Sequence, residues 1–129
     1  MRSVMLGFVV LLSMVTGIVQ AQDNRVARAT FAAGIQDREP VAASDQFLNE
    51  LSPVFFFTEI VGADGKTITH RWSYQGEVMA NVEFEIKGPR WRVYSSKVLL
   101  PFWTGLWSVD VLEGDTLLGT WSFDYAATY

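Results

Sequence analysis

The stretch that decides the fold is GPRWRVYSSKVLLPFWTGLW, residues 88–107, which holds three of the five tryptophans in this 129-residue chain. RWRVYSSK alternates Trp91 and Val93 with arginines and Tyr94, the pattern of a strand with one buried face. Pro101 cannot sit in a central ladder, so we expect the next segment to be irregular. Alternation then resumes around Trp107. The stretch therefore predicts two strands joined by a proline-containing corner.

The same period of two extends over most of the chain. VFFFTEIV, beginning at Val54, is apolar on both faces and is expected to lie centrally. Turn residues separate the segments at 62–66, 75–76 and 113–115, whereas VAASDQFLNELSP reads as a polar connection that can hold a helical turn. The side chains predicted to face inward include Ala27, Ala29, Phe31, Ile68, His70, Trp72, Val78, Val82, Phe84, Leu117, Trp121 and Phe123.

These segments amount to about seven closely spaced strands without a long helical pattern. This arrangement is typical of a single all-β domain, an immunoglobulin-like antiparallel β-sandwich, which we place at residues 27–127. A small barrel is the main structural rival.

The N-terminus reads as a secretory signal helix. Arg2 precedes an apolar run from Val4 to Val15, and Val19-Gln20-Ala21 favours cleavage after residue 21. Residues 22–26 would then be a linker. We therefore expect a periplasmic or secreted protein. The alternative is an uncleaved anchor in the inner membrane with the domain facing the periplasm, although the apolar run is at the short limit of the roughly 20 residues that a span needs.

Charge and composition exclude several classes. The formal net charge is −4 and no basic stripe is present, which argues against a nucleic-acid partner. The absence of cysteine excludes disulfides, thiolate catalysis and cysteine metal sites. His70 is the single histidine, and one histidine without cysteine makes a poor zinc site. We expect no metal and no cofactor.

Four blocks carry a family resemblance: FFTE, THRW, GPRWRVYSSK and WTGLWSVDV. From about Ala29 to Tyr125 the chain resembles a bacterial envelope family known as a domain of unknown function (family twenty-nine fourteen). The resemblance implies an exported or membrane-tethered, immunoglobulin-like domain with no established reaction. It supplies no catalytic residue, and fold alone does not define function.

Trp103 and Phe102 are the first candidate contact residues because they lie in the irregular segment beside Pro101. An aromatic on a loop can cap the core or stand out as a contact for a partner protein or a sugar ring. Trp91 and Trp107, by contrast, are predicted to pack in the core.

Arg90, Arg92 and Lys97 form the second candidate contact, a small basic patch on an outward face. The simpler interpretation pairs them with Glu83 and Glu85 of the preceding strand, across a hairpin turn at Gly88-Pro89. The more specific interpretation is that this basic patch contacts an anionic group.

A serine-hydrolase triad could be written from Ser95 or Ser96, His70 and Asp64, but no nucleophile elbow or oxyanion loop supports it. The inward parity of His70 favours a core histidine instead. We therefore expect no enzyme. Two hypotheses remain: an interaction module that docks on another envelope protein through a sheet edge or the Trp103 end, and a glycan-binding module for peptidoglycan or another polysaccharide. Two or more tryptophans exposed on one face would favour the second.

Overall fold

The structure is a computed structural model that describes residues 25–128. The predicted signal peptide, residues 1–21, and the first part of the predicted linker lie outside the described residues. The strands are β1 (Val26–Gln36), β2 (Glu39–Ala43), β3 (Gln46–Leu48), β4 (Val54–Val61), β5 (Thr67–Tyr74), β6 (Glu77–Glu85), β7 (Arg90–Lys97), β8 (Gly105–Glu113) and β9 (Thr116–Ala126).

The nine strands form two sheets, ordered β2-β1-β4-β7 and β3-β9-β8-β5-β6. The first contains the immunoglobulin strand order A-B-E as β1-β4-β7, and the second contains C-F-G as β5-β8-β9. The predicted all-β, immunoglobulin-like sandwich is therefore confirmed for the described residues. Of the two strands beyond the expected seven, β2 overlaps the predicted polar connection VAASDQFLNELSP and β3 lies within it, and that segment contains no helical turn.

Large aromatic side chains fill the space between the sheets. Phe31 of the first sheet meets Phe123 of the second with ring centroids 4.6 Å apart, and Trp107 stacks on Phe123 at 6.2 Å. Trp107 is completely buried, as predicted. Trp91 is only half-buried, and it packs against the edge of the core beside Gly88.

Three residues predicted to face inward are solvent-exposed instead: Ala27, Val78 and Leu117. In each case a β-bulge inserts one extra residue into the strand and exchanges its two faces. Met79 is the extra residue in β6 and packs against the core in place of Val78. Leu118 is the extra residue in β9 and is buried in place of Leu117.

The two connections that flank β7 pass from one sheet to the other. Residues 98–104 lead from β7 in the first sheet to β8 in the second, and they are irregular, as Pro101 predicted. Residues 86–89 lead from β6 in the second sheet to β7 in the first. The predicted hairpin at Gly88-Pro89 is therefore wrong, because β6 and β7 are not paired with each other.

The end of β1 and all of β2 form a hairpin that folds back over the outer face of the first sheet. Arg28 and Gln36 would lie about 26 Å apart along a straight strand. Yet Arg28 forms two hydrogen bonds of 2.9 Å to Glu39, the residue paired with Gln36. The strand must therefore bend back, and we call residues 33–43 the folded-back hairpin. Its tip helps to explain why Phe57, on the outer face of β4, is fully buried.

Candidate functional site

Exposed apolar side chains gather at one end of the sandwich, formed by residues 48–53 and 98–106, which we call the apical end. The loop between β7 and β8 contacts the segment after β3 there, because Asn49 donates a 2.9 Å hydrogen bond to the carbonyl of Pro101. Five of the nine large hydrophobic side chains that are exposed within residues 25–128 lie at this end: Leu48, Val98, Leu100, Phe102 and Leu106. Of these five side chains, Phe102 alone is marked as a candidate contact by the sequence pattern.

Phe102 is the most exposed of these side chains, with 72% of its surface accessible. Trp103 beside it is half-buried and packs on Tyr74 and Trp107, with ring centroids 6.5 and 5.9 Å away. Its carbonyl accepts a 2.9 Å hydrogen bond from the indole N–H of Trp107. Trp103 thus caps the core, while Phe102 projects from the same turn.

Lys97 ends β7 beside the apical end and does not lie in the arginine patch. Its ammonium group is 5.3 Å from the centroid of the Trp103 ring, a cation–π arrangement that covers one face of that ring. The predicted grouping of Lys97 with Arg90 and Arg92 is therefore wrong, because Lys97 follows the parity of Trp91 and Val93 along β7.

Arg90 and Arg92 lie on the outer face of the first sheet, but their predicted partners are wrong. Glu83 and Glu85 belong to β6 in the other sheet. Instead, Arg90 donates a 2.6 Å hydrogen bond to Glu59 of β4, and Arg92 donates one of 2.5 Å to Glu39 of β2.

Arg28 joins these two pairs into one network. Its Nε donates to Glu59 at 2.6 Å, and its two terminal nitrogens each donate to one carboxylate oxygen of Glu39. The guanidinium also lies 4.8 Å above the Phe57 ring. The network of Arg28, Glu39, Glu59, Arg90 and Arg92 therefore spans all four strands of the sheet and fastens the tip of the folded-back hairpin.

The network shifts the ionisation of its carboxylates. Hydrogen bonds from Arg28, and then from Arg92, lower the pKa of Glu39 to about 2. Hydrogen bonds from Arg90 and Arg28 likewise lower the pKa of Glu59, and the two glutamates raise the pKa of Arg28. Glu39, Glu59 and Arg28 are therefore charged at neutral pH. The sequence held one signal for this: a glutamate inside the apolar run VFFFTEIV needs a charged partner.

A second polar network lies in the core and joins the two sheets. His70 of β5 is completely buried between Thr58 of β4 and Ser95 of β7, at 3.0 Å from Nε2 and 2.7 Å from Nδ1. Trp72 Nε1 donates to Ser95 Oγ at 3.0 Å, and Thr58 Oγ1 donates to the carbonyl of Val93 at 3.3 Å.

These partners select one tautomer of His70. Ser95 Oγ accepts from Trp72 and has its hydroxyl proton available for Nδ1 of His70. Thr58 directs its own proton at a carbonyl, so its oxygen accepts from Nε2–H. Every group is satisfied with a neutral imidazole, and burial lowers the pKa of His70 to about 3.

Ser95 and His70 are in contact, but they do not form a hydrolytic pair. Asp64 is not a partner of the imidazole, whose second nitrogen faces Thr58. Both residues are buried, and an imidazole with so low a pKa is a poor general base at neutral pH. Within residues 25–128 no group of three or more histidine or acidic side chains could hold a metal ion. The same residues include no helix long and apolar enough to cross a membrane.

Fold and surface together define an immunoglobulin-like β-sandwich with an apolar end and an arginine-rich outer face. Residues 65–125 match the model of a family described as a protein of unknown function, DUF2914. The match confirms the resemblance seen in the sequence and covers the THRW, GPRWRVYSSK and WTGLWSVDV blocks, whereas FFTE precedes it.

Among solved structures, the chain is similar to an immunoglobulin-like protein from Pseudomonas aeruginosa, at 16% sequence identity. That similarity covers 78% of this chain and 94% of the other, with a TM-score of 0.49. No curated protein matches the chain.

Proposed function

We propose that this protein is a non-enzymatic, exported interaction module of the bacterial cell envelope that docks on another envelope protein through its apical end. The observation that carries the proposal is the group of five exposed apolar side chains there, around Phe102. Exposed apolar side chains gathered at one end of a folded domain are a common feature of interaction sites.

The path of the chain supports the apical end as the docking surface. β1 begins at Val26 beside Ile60 and reaches Ala32 beside Phe55, so it enters the sandwich at the end opposite the apical loop. A domain tethered through its N-terminus would therefore present the apical end away from the tether.

The sheet edges give weaker support. β6 and β7 are edge strands, and charged side chains occupy both, including Glu83 and Glu85 on β6 and Arg90 and Arg92 on β7. Charged residues on edges discourage pairing with another strand.

The glycan-binding alternative also has less support. Trp72 and Trp107 are buried, and Trp91, Trp103 and Trp121 are half-buried, so the tryptophans do not offer an exposed row on which sugar rings could stack. Lys97 additionally covers one face of Trp103.

Photo-crosslinking in cells tests the proposal, with a crosslinking amino acid at position 102. Position 117 provides the matched control, because Leu117 is also exposed but lies near the β8–β9 turn at the opposite end. We expect discrete protein adducts from 102 and none of the same mass from 117. Identical adducts from both positions, or none from 102, would reject apical docking. A smear that collapses on muramidase digestion would favour the glycan alternative.

A further inference from the structure

We propose that Arg38, Arg90 and Arg92 form a binding site for a phosphoryl group, in the cleft between the tip of the folded-back hairpin and β7. This site lies on the outer face of the first sheet and is separate from the apical end. It would give the protein a second, charge-based contact that does not depend on docking through Phe102.

The cleft has a volume of about 370 Å³. Four arginines dominate its lining, and the full set of lining residues is Arg28, Arg38, Glu59, Arg90, Trp91 and Arg92. The walls come from four parts of the fold: Arg28 is on β1, Arg38 at the hairpin tip, Glu59 on β4, and Arg90 to Arg92 on β7. Arg92 fixes the tip against β7 by donating to the carbonyl of Arg38 at 3.5 Å and to Glu39 at 2.5 Å.

The four arginines differ in how many of their N–H groups are already bonded to a carboxylate. Arg28 directs Nε and both terminal nitrogens at Glu59 and Glu39, so it has little left for a ligand. Arg90 and Arg92 each engage a carboxylate through one terminal nitrogen only. The side chain of Arg38 forms no ion pair within residues 25–128. Arg28 is therefore a positioning residue, and the other three have N–H groups free to donate.

Charge favours a phosphoryl group over a carboxylate. Four arginines face two carboxylates, Glu39 and Glu59, which leaves a local surplus of 4 − 2 = +2 on a chain whose formal net charge is −4. A phosphate monoester carries about −1.5 to −2 near neutral pH, and this matches the surplus. One carboxylate, with a charge of −1, would leave half of this positive surplus uncompensated. Guanidinium groups also match the geometry of phosphate oxygens with paired N–H donors.

The source of the phosphoryl group is either a lipid headgroup or a soluble phosphorylated molecule. The cleft lies near the end at which β1 begins, since Arg28 is close to Val26. A domain tethered by its N-terminus would bring this end closest to the membrane, so anionic vesicles form one arm of the test.

The test is a titration of the ¹⁵N-labelled full-length chain with inorganic phosphate, at constant ionic strength and with chloride as the reference anion. We expect saturable shifts of the Nε–Hε signals of Arg90 and Arg92. Arg38→Gln and Arg90→Gln should each weaken phosphate binding about tenfold, since each removes a charged donor. Lys87→Gln removes one exposed charge from another surface and should change affinity less than about twofold.

Shifts that grow linearly without saturation, or an equal loss in Lys87→Gln, would overturn the proposal. Arg38→Gln breaks no side-chain ion pair within residues 25–128, so the interpretation of this variant does not depend on a perturbed fold. In the second arm, the same proteins are sedimented with vesicles that contain phosphatidic acid, whose headgroup is a phosphate monoester, and with purely phosphatidylcholine vesicles. The ligand is a lipid headgroup if phosphate binding saturates and only the anionic vesicles retain the protein, in a way that depends on the arginines. Phosphate binding without such retention identifies a soluble ligand, whereas vesicle retention without saturable phosphate binding also rejects the site.

Discussion

Nδ1 of His70 lies 2.7 Å from the hydroxyl oxygen of Ser95, and this contact joins the two sheets through the middle of an otherwise apolar core. The serine also accepts from Trp72, so a single hydroxyl satisfies two buried nitrogens. A buried polar group left without a partner is costly, and the strength of this connection is therefore measurable by removing one oxygen atom.

Ser95→Ala should lower the free energy of unfolding substantially, because it orphans Nδ1 of His70 and Nε1 of Trp72. Each unsatisfied buried group costs about 1–3 kcal/mol. Ser96→Ala is the matched control, since Ser96 is the exposed neighbour on the same strand and should change stability by less than about 0.5 kcal/mol. Urea denaturation of both variants decides the question. Equal midpoints would contradict the bridging role of Ser95.

Stability should fall as the pH drops below about 6.5, and His70 should be the cause. Its pKa is lowered to about 3 in the folded protein, so between these two values the unfolded chain binds a proton that the folded one does not. The resulting slope is about 1.4 kcal/mol per pH unit. The lowered pKa values of Glu39 and Glu59 act in the same direction, but only below their ordinary value of 4.5.

Denaturation at pH 7, 6 and 5 isolates the histidine from the glutamates. His70→Leu removes the only imidazole of the chain and should flatten this part of the profile even if the variant is less stable. A slope that persists in His70→Leu would mean that another group titrates.

Trp107→Ala should cost about 3–5 kcal/mol, the usual range for deleting a buried aromatic side chain. Trp91→Ala should cost clearly less, because Trp91 is half-buried at the edge of the core and leaves a site open to water. Thermal and chemical denaturation of the pair tests this ranking. A larger loss for Trp91→Ala would show that the edge of the core contributes more than its burial indicates.

Glu39→Gln should release the folded-back hairpin while leaving the sandwich intact. The substitution weakens the paired hydrogen bonds from Arg28 and the contact with Arg92, which together hold the hairpin tip. We expect faster amide hydrogen exchange in residues 33–43 and little change in the core strands. Glu77→Gln, on the exposed edge strand β6, provides the matched control. Unchanged exchange in the hairpin would show that apolar packing alone holds it.

The sequence predicted the elements that depend on local chemistry. Alternation placed Ile68, His70 and Trp72 on the buried face of β5, and Pro101 marked the irregular corner before β8. Both follow from short-range rules: side chains alternate along a strand, and proline lacks the N–H that a ladder requires.

The β-bulges and the partners of the charged side chains could be identified only from the tertiary structure. An extra residue at Met79 or Leu118 exchanges the faces of a strand without interrupting its sequence pattern. Adjacency in sequence did not give the partners of Arg90 and Arg92, because the consecutive strands β6 and β7 belong to different sheets.

By itself, then, the sequence determined where seven of the nine described strands lie, that Trp72 and Trp107 face inward, and that the domain is all-β. Only the tertiary structure decided which sheet each strand joins, that residues 33–43 fold back, and that Glu39 and Glu59 meet the arginines. The physical reason is that alternation specifies the face of a strand but not its neighbour. Neighbours are chosen by burial and charge contacts between segments far apart along the chain.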